Sequence, residues 1–176
     1  MVVWSAVAVA LGQSPLTSQH SRDLVAFGAF KGADLDLADG WRLVASQWLH
    51  VKAPHMLLNA MVIGVVGTSS EARHGRILPA LMALVGGCVG QFASAIEDPT
   101  AFVSGASQAY LALCGFALVA GGMRWPGVAT AVIGVAIAVA LDLFVAAHGG
   151  IKPGHFWALV FGVAAGTVVR FRRKPS

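Results

Sequence analysis

Five side chains in this sequence place a reactive or strongly polar group inside an otherwise apolar stretch: His55, Asn59, Ser107, Asp142 and His155. Ser107 lies in Ser104-Gly105-Ala106-Ser107-Gln108-Ala109-Tyr110, where Gly105 can turn the chain and an apolar helix opens at the serine. A helix N-terminus offers unpaired N–H groups and the positive end of the helix dipole, both favourable to a developing oxyanion. A serine nucleophile also requires a base to take its proton, and the imidazole of His155, at the head of the last apolar stretch, suits that role near neutral pH. His55 and Asn59 are four residues apart, so on a helix they share a face and can donate hydrogen bonds toward one point. The chemistry to which these types point is acyl transfer by an activated serine. Each residue taken singly has a plainer reading: an N-cap serine, a histidine facing water at a helix start, polar glue between helices. Their coincidence at similar depth carries the argument. Asp142 lies in its stretch without an adjacent cation; it is expected to be protonated or hydrogen-bonded for structure, and no catalytic role is assigned to it.

The elements that must position these groups follow from composition. Of 176 residues, 57% are apolar and 11% charged, with a mean hydropathy of +0.74, whereas a soluble domain carries about 25% charged residues. So little charge does not cover a water-facing surface, and the expected class is an all-α, polytopic membrane helical bundle. Five apolar stretches are clear: roughly His55–Ser70, Ile77–Ile96, Ala106–Met123, Gly127–Ala147 and His155–Val169. Several fall short of the ~20 residues that cross a full hydrocarbon core, which suits local thinning of the bilayer or helices that start below its surface. All are rich in Gly and Ala, which permit close packing in lipid. In the last stretch Ala158, Gly162 and Gly166 fall on nearly one face, so His155 is pressed into the same helix contact. Met1–Leu11 is apolar but too short to span, and is read as the end of a first transmembrane helix, short or truncated, giving six in all, with a peripheral hydrophobic anchor as the alternative. Between it and the second span lies a long loop, about 13–54, with Asp23, Asp34, Asp36 and Asp39 and an aromatic stretch from Trp41 to Leu49. Trp41 and Trp48 are natural interfacial anchors there.

Charge sets the orientation. Arg73 and Arg76 follow the second span, Arg124 the fourth, and Arg170, Arg172, Arg173 and Lys174 the sixth. Glu97, Asp98, the acidic first loop and His148–Gly154 occupy the opposite connections. By the positive-inside rule both termini are cytoplasmic, and the expected location is a cell membrane, the bacterial inner membrane. The net charge of +4 is a juxtamembrane cluster and not a nucleic-acid surface, because no basic patch is interleaved with aromatics. Cys88 and Cys114 sit in apolar runs and read as buried free thiols. A single domain accounts for the whole length.

The sequence resembles the rhomboid family of intramembrane serine proteases from Trp41 to about Gly166. Trp41-Arg42 resembles the family's loop motif, His55-Met56-Leu57-Leu58-Asn59 its His-x-x-x-Asn signature, and Glu71-Ala72-Arg73-His74-Gly75 its Glu-x-x-x-Gly turn. Gly105-Ala106-Ser107-Gln108 resembles the nucleophile motif, and His155 with Gly162 the final helix. The resemblance implies a Ser107–His155 dyad without a third acidic member. It further implies an oxyanion hole from His55, Asn59 and the Ser107 backbone N–H. The implied partners are the lipid bilayer and transmembrane protein substrates cut near the outer leaflet; no cofactor, metal or nucleic acid is implied. Three positions depart from the pattern. Gln108 follows the nucleophile where a small residue is usual. Gly154-His155-Phe156-Trp157-Ala158 replaces Ala-His-x-Gly-Gly. Leu111 stands where some members have an aromatic, with Tyr110 adjacent but rotated by about 100°.

Two other protease classes are excluded: no His-Glu-x-x-His motif is present, and only Asp142 lies deep in a span where an aspartyl protease needs two. A catalytically weak or silent rhomboid-fold protein that binds membrane clients is the alternative, though such proteins characteristically lack the serine or the histidine. A channel using His55, Asn59 and Asp142 as a polar path leaves the Gly-Ala-Ser triplet and the loop motifs without a role.

Overall fold

Small side chains decide the architecture, because they let one short helix be surrounded on all sides. The computed structural model describes residues 2–14, 17–145 and 150–172; Met1, Ala147, His148, Arg173 and Lys174, all part of the sequence expectations, lie outside them. Among the described residues there are seven α-helices: α1 (Val2–Ala10), α2 (Arg42–Ala45), α3 (Ala53–His74), α4 (Ile77–Glu97), α5 (Ser107–Ala120), α6 (Trp125–Phe144) and α7 (Pro153–Arg172). The five apolar stretches are thus α3 to α7, and α1 stands at the expected first position. The molecule is a polytopic helical membrane bundle. By length and apolarity α4, α6 and α7 are each sufficient to cross a membrane, and α3 counts as a fourth together with the α2 segment, to which it is bent by 104°.

α5 is the central post. Every residue from Ser107 to Ala117 is buried, in contact with α3, α4, α6 and α7. At 1.5 Å per residue its 14 residues extend about 21 Å, against a hydrocarbon layer of about 30 Å, so at least one end starts below the layer's surface. α7 packs closest to it. A Cβ on Gly162 would run into the Ala112 carbonyl, one on Gly166 would sit 2.6 Å from the Phe116 oxygen, and one on Gly115 would sit 2.7 Å from the Leu159 oxygen. Gly154, His155, Ala158, Gly162 and Gly166 form the buried face of α7, which is the face expected from the spacing of small residues.

Prolines start the spans and glycines end them. α3 and α6 carry Pro at a first-turn position, where its missing N–H costs nothing. α3 and α5 stop at Gly75 and Gly121, each with φ +72°. The first loop is not irregular throughout. Phe30–Lys31 (β1) pairs antiparallel with Phe102–Val103 (β2), in register Phe30 to Val103 and Lys31 to Phe102. This ladder, which the sequence did not disclose, ties the loop to the strand leading into Ser107. Arg42 holds the loop's interior: its Nε donates to Asp39 at 2.7 Å and one Nη donates to the carbonyls of Val25 and Ala29 at 2.9 and 3.3 Å. Leu37, Trp41, Val44 and Trp48 remain exposed on the loop, as suits a segment lying at a membrane interface.

Candidate active site

The turn before α5 fixes where Ser107 points. Gly105 adopts φ +104°, a conformation that side-chain-bearing residues rarely take. Its N–H donates to the Ser46 carbonyl at 2.9 Å, and its own carbonyl accepts from Gln91 Nε2 at 3.1 Å. Gln91 in turn bonds the Ser46 hydroxyl. Buried Ser46 and Gln91 therefore staple the first loop and α4 to the turn that delivers the nucleophile. Ala106 holds the cap position with no side-chain cap bond, so Ser107 is the first helical residue and not an N-cap serine. The first-turn N–H groups that begin at Ser107 have no partner within the helix.

Ser107 and His155 meet across the α5–α7 contact. Ser107 Oγ lies 2.8 Å from His155 Nε2, with both side chains nearly buried. His155 Nδ1 lies 2.6 Å from Asp142 Oδ2. Facing a carboxylate, Nδ1 carries the proton, which leaves the Nε2 lone pair to accept from the serine hydroxyl. The hydroxyl has a second acceptor in reach, Gln108 Oε1 at 3.1 Å. Two cavities share Ser107, His155, His55 and Lys152 as a common wall. One, of about 620 Å³, extends past Tyr110 and Asp142; the other, of about 370 Å³, extends past Gln108, Glu97 and Asp98.

Asp142 has no cation beside it in sequence, but the fold brings one to it: Lys152 Nζ lies 4.0 Å from Oδ1, the Lys152 backbone N–H donates to Oδ2 at 3.0 Å, and the His155 ring meets the same oxygen, so the carboxylate is hydrogen-bonded, one of the two states expected of it. Linear sequence hid this because ten residues and a change of helix separate Asp142 from Lys152. The available signal was a carboxylate in an apolar helix, a cost that demands a partner.

The α3 side differs from the expectation in part. His55 lines both cavities beside Ser107. Asn59 does not line them: it is buried, and its Nδ2 points to His50 Nε2 at 2.9 Å. His50 also receives the Ala106 N–H at 3.3 Å, and its ring meets His55 edge-on with centroids 5.7 Å apart. With two N–H groups aimed at Nε2, His50 must be neutral. Burial, reinforced by the neighbouring His55, pushes its pKa down to about 4. Sequence reasoning missed His50, although a third histidine five residues before His55 was there to be weighed. Tyr110 is buried with its hydroxyl 3.4 Å from the Gly134 carbonyl, and Leu111 lies behind His155.

The family model for the Rhomboid domain matches residues 38–174. Rhomboid-like protease 2 of Toxoplasma gondii is 29% identical over 92% of this chain and 59% of its own length. RHOMBOID-like protein 4 of Arabidopsis thaliana is 31% identical over 92% of this chain and 40% of its own, and RHOMBOID-like protein 7 of the same plant 28% over 90% and 51%. The chain thus spans between two fifths and three fifths of the length of these relatives.

Proposed function

Because the chain belongs to the rhomboid family, we propose that it is an intramembrane serine endopeptidase that cuts transmembrane segments of membrane-anchored proteins. The observation that carries the reading is the 2.8 Å contact of Ser107 Oγ with His155 Nε2 on a wall that two cavities share. Ser107 Oγ attacks the scissile carbonyl carbon while its proton passes to His155 Nε2 and the carbonyl π electrons move to oxygen. Collapse of the tetrahedral intermediate breaks the C–N bond, and His155 returns the proton to the leaving amine. A water then repeats the sequence on the acyl-enzyme. The oxyanion faces the Ser107 backbone N–H and His55; Asn59, one of whose two N–H groups is committed to His50, contributes at most its second.

The family resemblance implies a substrate helix that unwinds near its outer end, and the two cavities that meet at Ser107 leave room for such a segment. The whole chain is then one rhomboid-like domain in the cell membrane, with termini cytoplasmic and cleavage near the outer leaflet. Charge supports it: Arg73 packs against Gly122 and His74 bonds Gly121, which gathers Arg73, Arg76 and Arg124 at the end of the bundle away from Ser107. Glu97 and Asp98 lie at the serine end.

The test is cleavage of a model transmembrane substrate by the protein reconstituted in vesicles. Wild type is expected to cut it and Ser107→Ala to leave it whole; normal cleavage by Ser107→Ala would refute the assignment. A fold that binds clients without cutting them would capture the substrate intact in both.

A further inference from the structure

We infer that Asp142 is a positioning residue of this active site, completing a Ser107–His155–Asp142 relay where the family resemblance implies a dyad. The inference rests on the serine-protease reading and deepens it. At 2.6 Å the His155–Asp142 contact is slightly shorter than the about 2.7–2.9 Å usual for charge-assisted hydrogen bonds. Asp142 is 1% exposed, in the last turn of the apolar helix α6, where an unpaired buried charge is expensive. It is held by three groups from one short stretch: the His155 ring, the Lys152 backbone N–H at 3.0 Å and Lys152 Nζ at 4.0 Å. That stretch is the start of α7, whose dipole favours an anion.

The arrangement does two things for the base. It fixes the proton on Nδ1 and turns the Nε2 lone pair toward Ser107. It also sets a negative charge beside the imidazolium that forms when Ser107 gives up its proton. During that step the Nδ1 proton stays on the ring and Asp142 stays ionised. The charged and titratable groups facing this cluster are Lys152 from the connection, His55 from α3 and Tyr110 from α5. None of the other three accepts the Nδ1 proton.

A purely structural role, tying the α6–α7 connection through Lys152, is the rival. Asp142→Asn separates the two, because the amide oxygen can still accept from the Lys152 N–H while the charge is lost. In the opposite amide rotamer the nitrogen takes the Oδ2 place, which gives up the Lys152 bond and forces the unproductive tautomer. On the relay reading, Asp142→Asn lowers kcat on a transmembrane substrate by about 100-fold or more, with KM within about threefold and Tm little changed. Asp142→Glu restores kcat to within about tenfold of wild type. Unchanged kcat in Asp142→Asn, with wild type active, overturns the inference and leaves the protease reading standing. Inactive wild type, unlabelled by a fluorophosphonate, overturns both. Should Asp142→Asn not fold, the wild-type protein decides by NMR: a far-downfield proton on a histidine Nδ1, lost in His155→Ala, supports the relay, and its absence ends it.

Discussion

Two sides of the pocket use the same kinds of residue for different ends. On the α5–α6–α7 side a hydroxyl, an imidazole and a carboxylate form one chain of contacts, 2.8 and 2.6 Å long, that ends on the atom that would react. On the α3 side an asparagine and a histidine, Asn59 and His50, bond each other and the Ala106 backbone at 2.9 and 3.3 Å, one residue short of the nucleophile. In the proposed reaction the first chain serves proton transfer from Ser107 to His155; the second holds the turn from which Ser107 emerges. A buried polar residue beside an active site is therefore not enough to assign chemistry. What its hydrogen bonds end on decides.

The comparison can be broken from either side. His155→Ala is expected to lower kcat/KM by about a thousandfold or more and, because it strips one partner from buried Asp142, to cost only about 1–3 kcal/mol of stability. A variant that instead keeps its rate and melts early would mean that the histidine is structural. Gly162→Val acts on the same side from a distance. The added side chain meets the Ala112 backbone, and overpacking of this kind costs about 1–3 kcal/mol. A lower Tm together with a kcat loss of about tenfold or more is expected as α7 shifts His155 away from Ser107; unaltered kinetics would show that the helix contact does not set the geometry.

On the α3 side effects are smaller and mixed. Asn59→Ala is expected to cost about tenfold in rate and about 1–2 kcal/mol in stability, because it strips a partner from buried His50. A loss confined to rate, with the fold as stable as wild type, would move Asn59 across to the chemical side. The smallest effect is pH-dependent. His50 has a folded pKa lowered to about 4, so the stability it contributes is complete above the ordinary histidine value of about 6.5 and is lost as pH falls from there toward 4. Thermal melts over that range should fall more steeply for wild type than for His50→Gln. Parallel curves would contradict a neutral His50 holding the turn.

How much of this was legible in the chain depends on range. The spans were, because apolar stretches and the Ala158, Gly162 and Gly166 spacing are local patterns, and α3 to α7 appear where those patterns lie. Ser107 and His155 were legible as types at helix starts. Three features were not, all of them long-range. Asp142 is defined by partners across a helix connection; His50 receives bonds from Asn59 and from Ala106, 56 residues on; and the β1–β2 ladder joins segments about 70 residues apart. Each is too short or too plain in sequence to signal itself, since a two-residue strand has no period and a buried carboxylate names no partner.

The most direct test is to locate a covalent adduct. Detergent-solubilised wild type is treated with a fluorophosphonate and mapped by mass spectrometry beside Ser107→Ala and His155→Ala. The expected result is one phosphonyl group on Ser107 in wild type, none in Ser107→Ala and little in His155→Ala. An adduct of equal yield in Ser107→Ala, or none in a folded wild type that also fails to cut its substrate, would contradict the account.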